Sequence, residues 1–173
     1  ITKKYPELSH QMNYIAIKKV INFFKNKKIK LIFVSTCSNY GFLENKIANE
    51  KTPLNPKSIY AKQKVKIEKY IISLRNKSKF TPTILRFSTA FGVSARPRFD
   101  LTINEFVLYA VTKKKLQIYD HETWRPYCHV KDFSRLILKV LQSDSKLINQ
   151  RVFNAGSDSN NFTKEGIVNL IKK

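Results

Sequence analysis

Short, nearly continuous apolar runs alternate along this chain with longer segments of helical period, and that alternation limits its possible folds more than any other feature. Residues 8–27 set Met12, Ile15, Ala16, Val20, Ile21 and Phe24 at helical spacing. "KLIFVST" (30–36) follows at once, the apolar run expected of a strand buried on both faces. A polar stretch with Gly41, Pro53 and Pro56 reads as a loop, and 58–75 as a helix with Ser58 at its N-cap. "TPTILRFS" (81–88) is the next strand, followed by a loop with Gly92 and Pro97. The spacing then predicts a helix over 101–114, a short strand at "LQIYD" and a helix over 131–142 capped by Asp132. A strand at "QRVFNAG" (150–156) and a last helix from Thr163 to Lys173 complete the reading. Helices alternating with buried strands imply βαβ units, a parallel sheet and an α/β fold. Ligands of such sheets sit beyond the carboxyl ends of the strands, where "STCSNYG", "RFSTAFG" and "FNAGSDS" fall.

The chain has 173 residues, room for one domain and part of a second, and its 42% apolar content runs along the whole length, so it buries a core. No apolar run approaches the roughly 20 residues of a membrane span, and "ITKKYPELSH" has no apolar leader segment. Cys37 and Cys128 have no metal-ligand spacing, and His10, His121 and His129 form no H-x-x-x-H pair, so no metal site is expected. The few cysteines fit a reducing, cytoplasmic setting. A net charge of +21 would suit a polyanionic partner, but the lysines are scattered and no nucleic-acid-binding signature accompanies them. Residue bias, with Lys far above Arg and with abundant Ile and Asn, explains the charge better than nucleic-acid binding.

Thr36 closes the first strand, and Tyr60 and Lys64 lie one turn apart on the helix after it. A hydroxyl, a phenol and an ammonium converging there suit carbonyl–alcohol chemistry: the phenol exchanges the proton, the ammonium lowers its pKa, and the threonine bonds the reacting oxygen. Taken alone, Tyr60 and Lys64 equally describe an exposed helix pair. Arg125 is open to stacking on Trp124 or Tyr127. His129 reads as a structural hydrogen-bonder, Asn154 and Gly156 as a turn, and Cys37 as a space-filler.

Six stretches together settle the choice: "FVSTCSNYG", "YAKQK", "LRFSTAFG", "RPRFDLTINEF", "WRPYCHVKD" and "FNAGS". In this order, from about residue 13 to 163, they resemble the extended short-chain dehydrogenase/reductase family, the NAD-dependent nucleotide-sugar epimerases and dehydratases. The resemblance implies the C-terminal part of a Rossmann-type doubly wound parallel sheet (1–92, the catalytic part) plus part of a small α/β substrate-binding domain (93–173, interleaved with the last Rossmann elements). It makes Thr36, Tyr60 and Lys64 the catalytic trio. It places Asn13, Tyr60, Lys64, Phe87 and Ser88 at the NAD cofactor, with NADP not excluded. It places Thr36, Thr89, Arg98, Asn104 and Arg125 at a nucleotide-sugar substrate, Arg125 as the clamp on the diphosphate. A homodimer through the helices at 8–27 and 58–75 is implied as well.

Two departures narrow the expectation. The family opens on a strand, G-x-x-G-x-x-G and a helix, whereas the glycines here, at 41, 92, 156 and 166, form no such fingerprint. The chain is therefore expected to be an internal piece of a longer enzyme, holding NAD weakly and inactive alone. The 4,6-dehydratase branch follows its threonine with Asp and Glu, whereas Cys37 and Ser38 follow Thr36 here. Neither replaces a carboxylate pair at neutral pH, so epimerisation or ketone–alcohol redox is expected ahead of dehydration. The rival class is a non-catalytic basic domain that binds nucleic acid or an acidic protein.

Overall fold

The computed structural model describes residues 4–43, 47–75 and 79–172. The chain divides into two compact units, the first made of residues 1–86 and 139–154, the second of 87–138 and 155–173.

The first unit begins with a helical rod in three parts. These are α1 (Pro6–His10), a π-helical turn (Gln11–Ile15) and α2 (Ala16–Phe24). Pro6 starts it, where the missing N–H costs nothing and the fixed φ is already helical. π turns inside helices are rare and tend to mark functional positions; this one carries Asn13. Strand β1 (Lys30–Thr36) follows, then a 3-10 turn (Cys37–Tyr40) and α3 (Ile59–Ser73). Ser58 caps α3 as its spacing predicts, its Oγ accepting from Ala61 N–H at 3.1 Å. Next come β2 (Thr81–Phe87), β3 (Thr89–Phe91), α4 (Thr102–Lys113), β4 (Trp124–His129), α5 (Val130–Gln142) and α6 (Ser145–Ile148). The chain ends with β5 (Arg151–Ala155), β6 (Asn161–Thr163) and α7 (Lys164–Ile171). The predicted helix end at Lys173 lies outside the described residues.

The first unit's sheet runs in the order β1-β2-β5. Thr81 N–H donates to Ile29 C=O just ahead of β1, and Gln150 N–H, just ahead of β5, donates to Pro82 C=O. Strand starts thus lie beside strand starts, the parallel arrangement that helical crossovers require. One core joins Ile21 of α2, Phe33 of β1, Ile67 and Ile71 of α3, and Ile84 of β2. Lys30 closes the end of α5, its Nζ donating to the carbonyls of Leu141 and Ser143 at 2.6 and 2.7 Å.

The second unit's sheet runs β3-β4-β6. β3 pairs with β4 in parallel, Thr89 opposite Tyr127, and β6 pairs with β4 antiparallel, Arg125 opposite Phe162. Its core gathers Phe106, Tyr127, Ile167 and Val168. Thr163 caps α7, accepting from Gly166 N–H at 3.0 Å.

Two sequence expectations need correction. "LQIYD" is not a strand; the strand of this region is β4, inside "WRPYCHV". The short run is preceded by three lysines and its apolar residues pack on the second unit's core instead, Leu116 and Ile118 against the cluster that holds Phe106. Asp132 does not cap α5: the helix already starts at Val130, and Asp132 pairs within its first turn with Arg135 at 2.8 Å.

Candidate active site

α3 is unusually basic, yet its buried residues are mostly apolar, with Gln63 and Glu68 the polar exceptions, and that buried side lays it against β1. Tyr60 and Lys64 follow from this placement, one turn apart on the flank nearest the strand. Lys64 Nζ donates to Val34 C=O of β1 at 2.8 Å and lies 5.5 Å from the centre of the Tyr60 ring. It also sits 4.8 Å over the Phe33 ring. Burial lowers the Lys64 pKa, and the Glu68 carboxylate one turn on opposes that shift. Thr36 ends β1 in extended backbone, and its Oγ1 accepts from Ser38 N–H at 3.2 Å. That contact uses a lone pair and leaves the hydroxyl proton available for donation.

Gly41 closes the turn after Thr36 with φ +75°, and a Cβ there would lie 2.2 Å from Asn55 C=O. Only glycine allows that approach. It brings the incoming segment close enough for Asn55 N–H to donate to Asn39 C=O at 3.0 Å.

Asn13 lies on the π turn in the same unit. Its Nδ2 donates to Ser9 Oγ at 3.2 Å, and Ser9 Oγ donates to Gln63 Oε1 of α3 at 2.9 Å. The rod that carries Asn13 is thereby tied to the helix that carries Tyr60 and Lys64.

The remaining candidates belong to the second unit. Phe87 stacks on Phe133, ring centres 3.9 Å apart. Ser88 is buried, and its Oγ faces the Cys128 thiol. Gly156 stands beside it, where a Cβ would come within 3.2 Å of that oxygen. Burial pushes the neighbouring Cys128 thiol up in pKa, with Asp132 adding to the effect and Ser88 opposing it. Thr89 lies on β3 and Arg125, exposed, on β4.

Asn104 is engaged with the main chain, its Oδ1 accepting from Gly92 N–H and its Nδ2 donating to Arg98 C=O, both at 3.1 Å. Arg98 forms a bidentate pair with Asp100, two bonds of 2.6 Å. That pairing holds the exposed Asp100 carboxyl down at about 2. Because the folded value lies below the unfolded one, the pair is intact above the ordinary carboxylate range and is lost as pH falls through about 2. A carboxyl-carbon NMR titration is expected to find that midpoint; a midpoint near 4 would show the pair does not persist in solution. A cavity of about 650 Å3 in the same unit is lined by Thr102, Phe106, Tyr109, Lys113, Tyr119 and Lys164, among others, within the size range of small-molecule sites.

The sequence reading missed the residues that brace this region. Glu68, one turn beyond Lys64, is buried and forms an ion pair with Arg86 of β2 at 2.7 Å. Arg86 Nη1 donates to Tyr40 Oη at 2.8 Å, and Tyr40 Oη donates to Asn154 Oδ1 of β5 at 2.6 Å. Two signals were available. Glu68 is the only acid in α3, and Arg86 interrupts the otherwise apolar run of β2.

Within the first unit, the hydroxyl of Thr36, the phenol of Tyr60 and the ammonium of Lys64 are donor groups of the kind that suits the nicotinamide end of NAD. The four glycines supply no phosphate-cradling loop for the other end. Among the described residues no group of His, Cys, Asp and Glu is set to hold a metal, and no helix is long and apolar enough to cross a membrane.

Known proteins resemble this chain in sequence and fold. An uncharacterized UDP-glucose epimerase of Bacillus subtilis (strain 168), YtcB, is 28% identical over 170 residues, covering 97% of this chain and 51% of its own. A dTDP-glucose 4,6-dehydratase from Bacillus anthracis, solved with NAD, superposes with a TM-score of 0.80 at 26% identity, over 94% of this chain and 51% of its own. A UDP-N-acetylglucosamine 4-epimerase from Methanobrevibacter ruminantium, solved with UDP-N-acetylmuramic acid, does so with a TM-score of 0.82 at 26% identity, over 99% of this chain and 54% of its own. The chain spans about half the length of the relatives it matches. Residues 2–156 match the NAD dependent epimerase/dehydratase family, and the chain belongs to that family.

Proposed function

We propose that the protein carrying this chain is an NAD(P)-dependent epimerase of nucleotide-diphosphate sugars. The observation that carries the reading is Lys64, partly buried, tied to β1 and 5.5 Å from the Tyr60 ring. A neighbouring cation favours the phenolate, so a phenol beside this ammonium is suited to accept and return a proton. In the proposed step Tyr60 takes the proton of a sugar hydroxyl, and Thr36 Oγ–H donates to the same oxygen. NAD, when bound, supplies hydride acceptance and return. Tyr60 would return the proton to the same oxygen when the carbon is restored on its other face, so the carbon would be inverted with no net redox change. Ser88 and Phe87 are proposed at the nicotinamide, Asn13 near the cofactor, and Thr89, Asn104 and Arg125 at the substrate, with Arg98 joining if it exchanges Asp100 for a phosphate.

Within the same family a nucleotide-sugar reductase is the nearer alternative. A 4,6-dehydratase is the further one, because Cys37 and Ser38 stand where a carboxylate pair would be needed. The partner proposed besides the substrate is a second copy, through the outer side of the α1–α2 rod, where Met12, Val20 and Phe23 are exposed. Sedimentation across concentrations checks this, and a strictly monomeric whole protein removes it.

The assay is incubation of the whole protein with NAD and a nucleotide-sugar panel, followed by NMR of the sugar carbons. Epimerisation predicts interconversion of two sugars without accumulation of reduced cofactor. Accumulated reduced cofactor or lost water would select the other two chemistries. No turnover, together with steeply salt-dependent oligonucleotide binding, would favour the non-catalytic basic domain. This chain alone is proposed to hold NAD weakly and to be inactive, and a micromolar affinity measured for it would overturn that.

A further inference from the structure

α3 presents three polar side chains at four-residue intervals: Tyr60, Lys64 and Glu68. The proposed chemistry uses the first two and has no task for the third. Yet Glu68 is, with Arg86, among the most heavily hydrogen-bonded side chains of the described residues in the first unit. Its carboxylate accepts from Arg86 Nη2 at 2.7 Å and from Arg86 Nε at 3.2 Å to each oxygen. It also accepts from Asn39 Nδ2 at 2.7 Å and from Ser35 Oγ. Asn39 Nδ2 and Ser35 Oγ lie 3.0 Å apart, which closes a three-sided set around the carboxylate.

An ion pair built only for stability would need Arg86 alone. The two other donors are Ser35, immediately before Thr36, and Asn39, three residues after it. In a strand, neighbouring side chains point to opposite faces, so fixing Ser35 inward fixes Thr36 outward. A slip of one residue would exchange the two faces. Thr36 has no comparable anchor; its Oγ1 contact is the local one from Ser38 N–H. Lys64, from the same stripe of α3, ties the Val34 carbonyl. The chain from Val34 to Asn39 is thus held to α3 on both sides of Thr36.

We propose that Glu68 is a positioning residue: by holding Ser35 and Asn39 it fixes the direction in which Thr36 presents its hydroxyl to the site. The significance for catalysis rests on the proposed Thr36–Tyr60–Lys64 reading. A carboxylate suits the task because two oxygens offer enough acceptor sites for three donor residues at once. A glutamine in its place would accept at one atom only.

The test uses three substitutions in the isotopically labelled 173-residue chain: Glu68→Gln, Ser35→Ala, and a control, Ile71→Val, in the core and outside the network. The readout is the set of three-bond couplings from the Thr36 methyl carbon to the backbone, which report its χ1 rotamer. The native chain and the control are expected to show one rotamer. Glu68→Gln and Ser35→Ala are expected to show rotamer-averaged couplings with the rest of the spectrum folded. Ser35→Ala leaves the Glu68–Arg86 pair in place, so it decides the matter even if Glu68→Gln fails to fold. A single retained Thr36 rotamer in folded Ser35→Ala overturns the proposal.

In the whole protein, Ser35→Ala is then expected to lower kcat, toward the about 10²-fold that an ångström-scale misplacement costs, with KM unchanged. Averaged couplings with an unchanged kcat would leave the positioning intact and instead remove Thr36 from the chemistry.

Discussion

Tyr60→Phe in the whole protein is expected to abolish turnover while leaving the fold unchanged. The substitution removes one oxygen and keeps the ring, so the neighbouring contact with the Lys64 ammonium, 5.5 Å from the ring centre, survives. The proton acceptor is lost. Positioned acid–base groups contribute about 10²–10⁴-fold, so kcat/KM is expected to fall by that factor. Expressed as transition-state energy this is about 3–5 kcal/mol. The unfolding midpoint should move little, because Tyr60 lies at the first turn of α3, outside the apolar core around Ile67 and Ile71. Steady-state kinetics beside a urea titration separates the two effects. Retained activity would remove Tyr60 from the chemistry and with it the epimerase reading. Lost activity with lost structure would show only that Tyr60 braces the helix.

Arg86→Ala is expected to do the reverse and act first on stability. Arg86 and Glu68 are 5% and 1% exposed, and their pair closes at 2.7 Å. Truncating Arg86 leaves a buried carboxylate with only Ser35 and Asn39 as donors. Breaking a buried pair from one side costs about 3–5 kcal/mol. A typical domain has about 5–15 kcal/mol in total, so the variant should be marginal at room temperature. Tyr40 Oη would also lose its donor from Arg86, loosening the link to Asn154 of β5. The double substitution Glu68→Leu with Arg86→Met should recover much of the loss, because the penalty comes from the unpaired charge rather than from the missing attraction. A loss under about 1 kcal/mol for Arg86→Ala would mean that water reaches the carboxylate and the pair is a surface one in effect.

These two results divide the work of α3. Its first turns carry the groups proposed to react and its middle carries the group that braces them. Both depend on the helix lying against β1, which the apolar residues Ala61, Val65, Ile67 and Ile71 secure by burial.

Much of this was legible in the chain. The continuous run "KLIFVST" became β1 with the predicted bounds, but it is not buried on both faces as expected: Phe33 and Ser35 are buried and Val34 between them is exposed. Ser58 and Thr163 cap their helices as their positions indicated, because a cap is a local hydrogen bond between residues three apart. The Tyr60–Lys64 adjacency is equally local, fixed by helical period alone.

What stayed hidden was set by partners distant in sequence. "TPTILRFS" became β2, but β3, just after it, was not read as a strand because its partner is β4, far along the chain. "LQIYD" has strand composition but no strand beside it, so its apolar residues pack on Phe106 instead. Asn104, singled out for substrate, holds Gly92 and the Arg98 carbonyl. Glu68, one acid in a basic helix, went unread in the sequence; β2 brings Arg86 to it. By itself the sequence determined most of the helices and longer strands and the caps at Ser58 and Thr163, since these follow from period, propensity and neighbours along the chain. Only the tertiary structure decided which strands pair and which charges are buried together, since both are fixed by contacts between residues far apart in sequence.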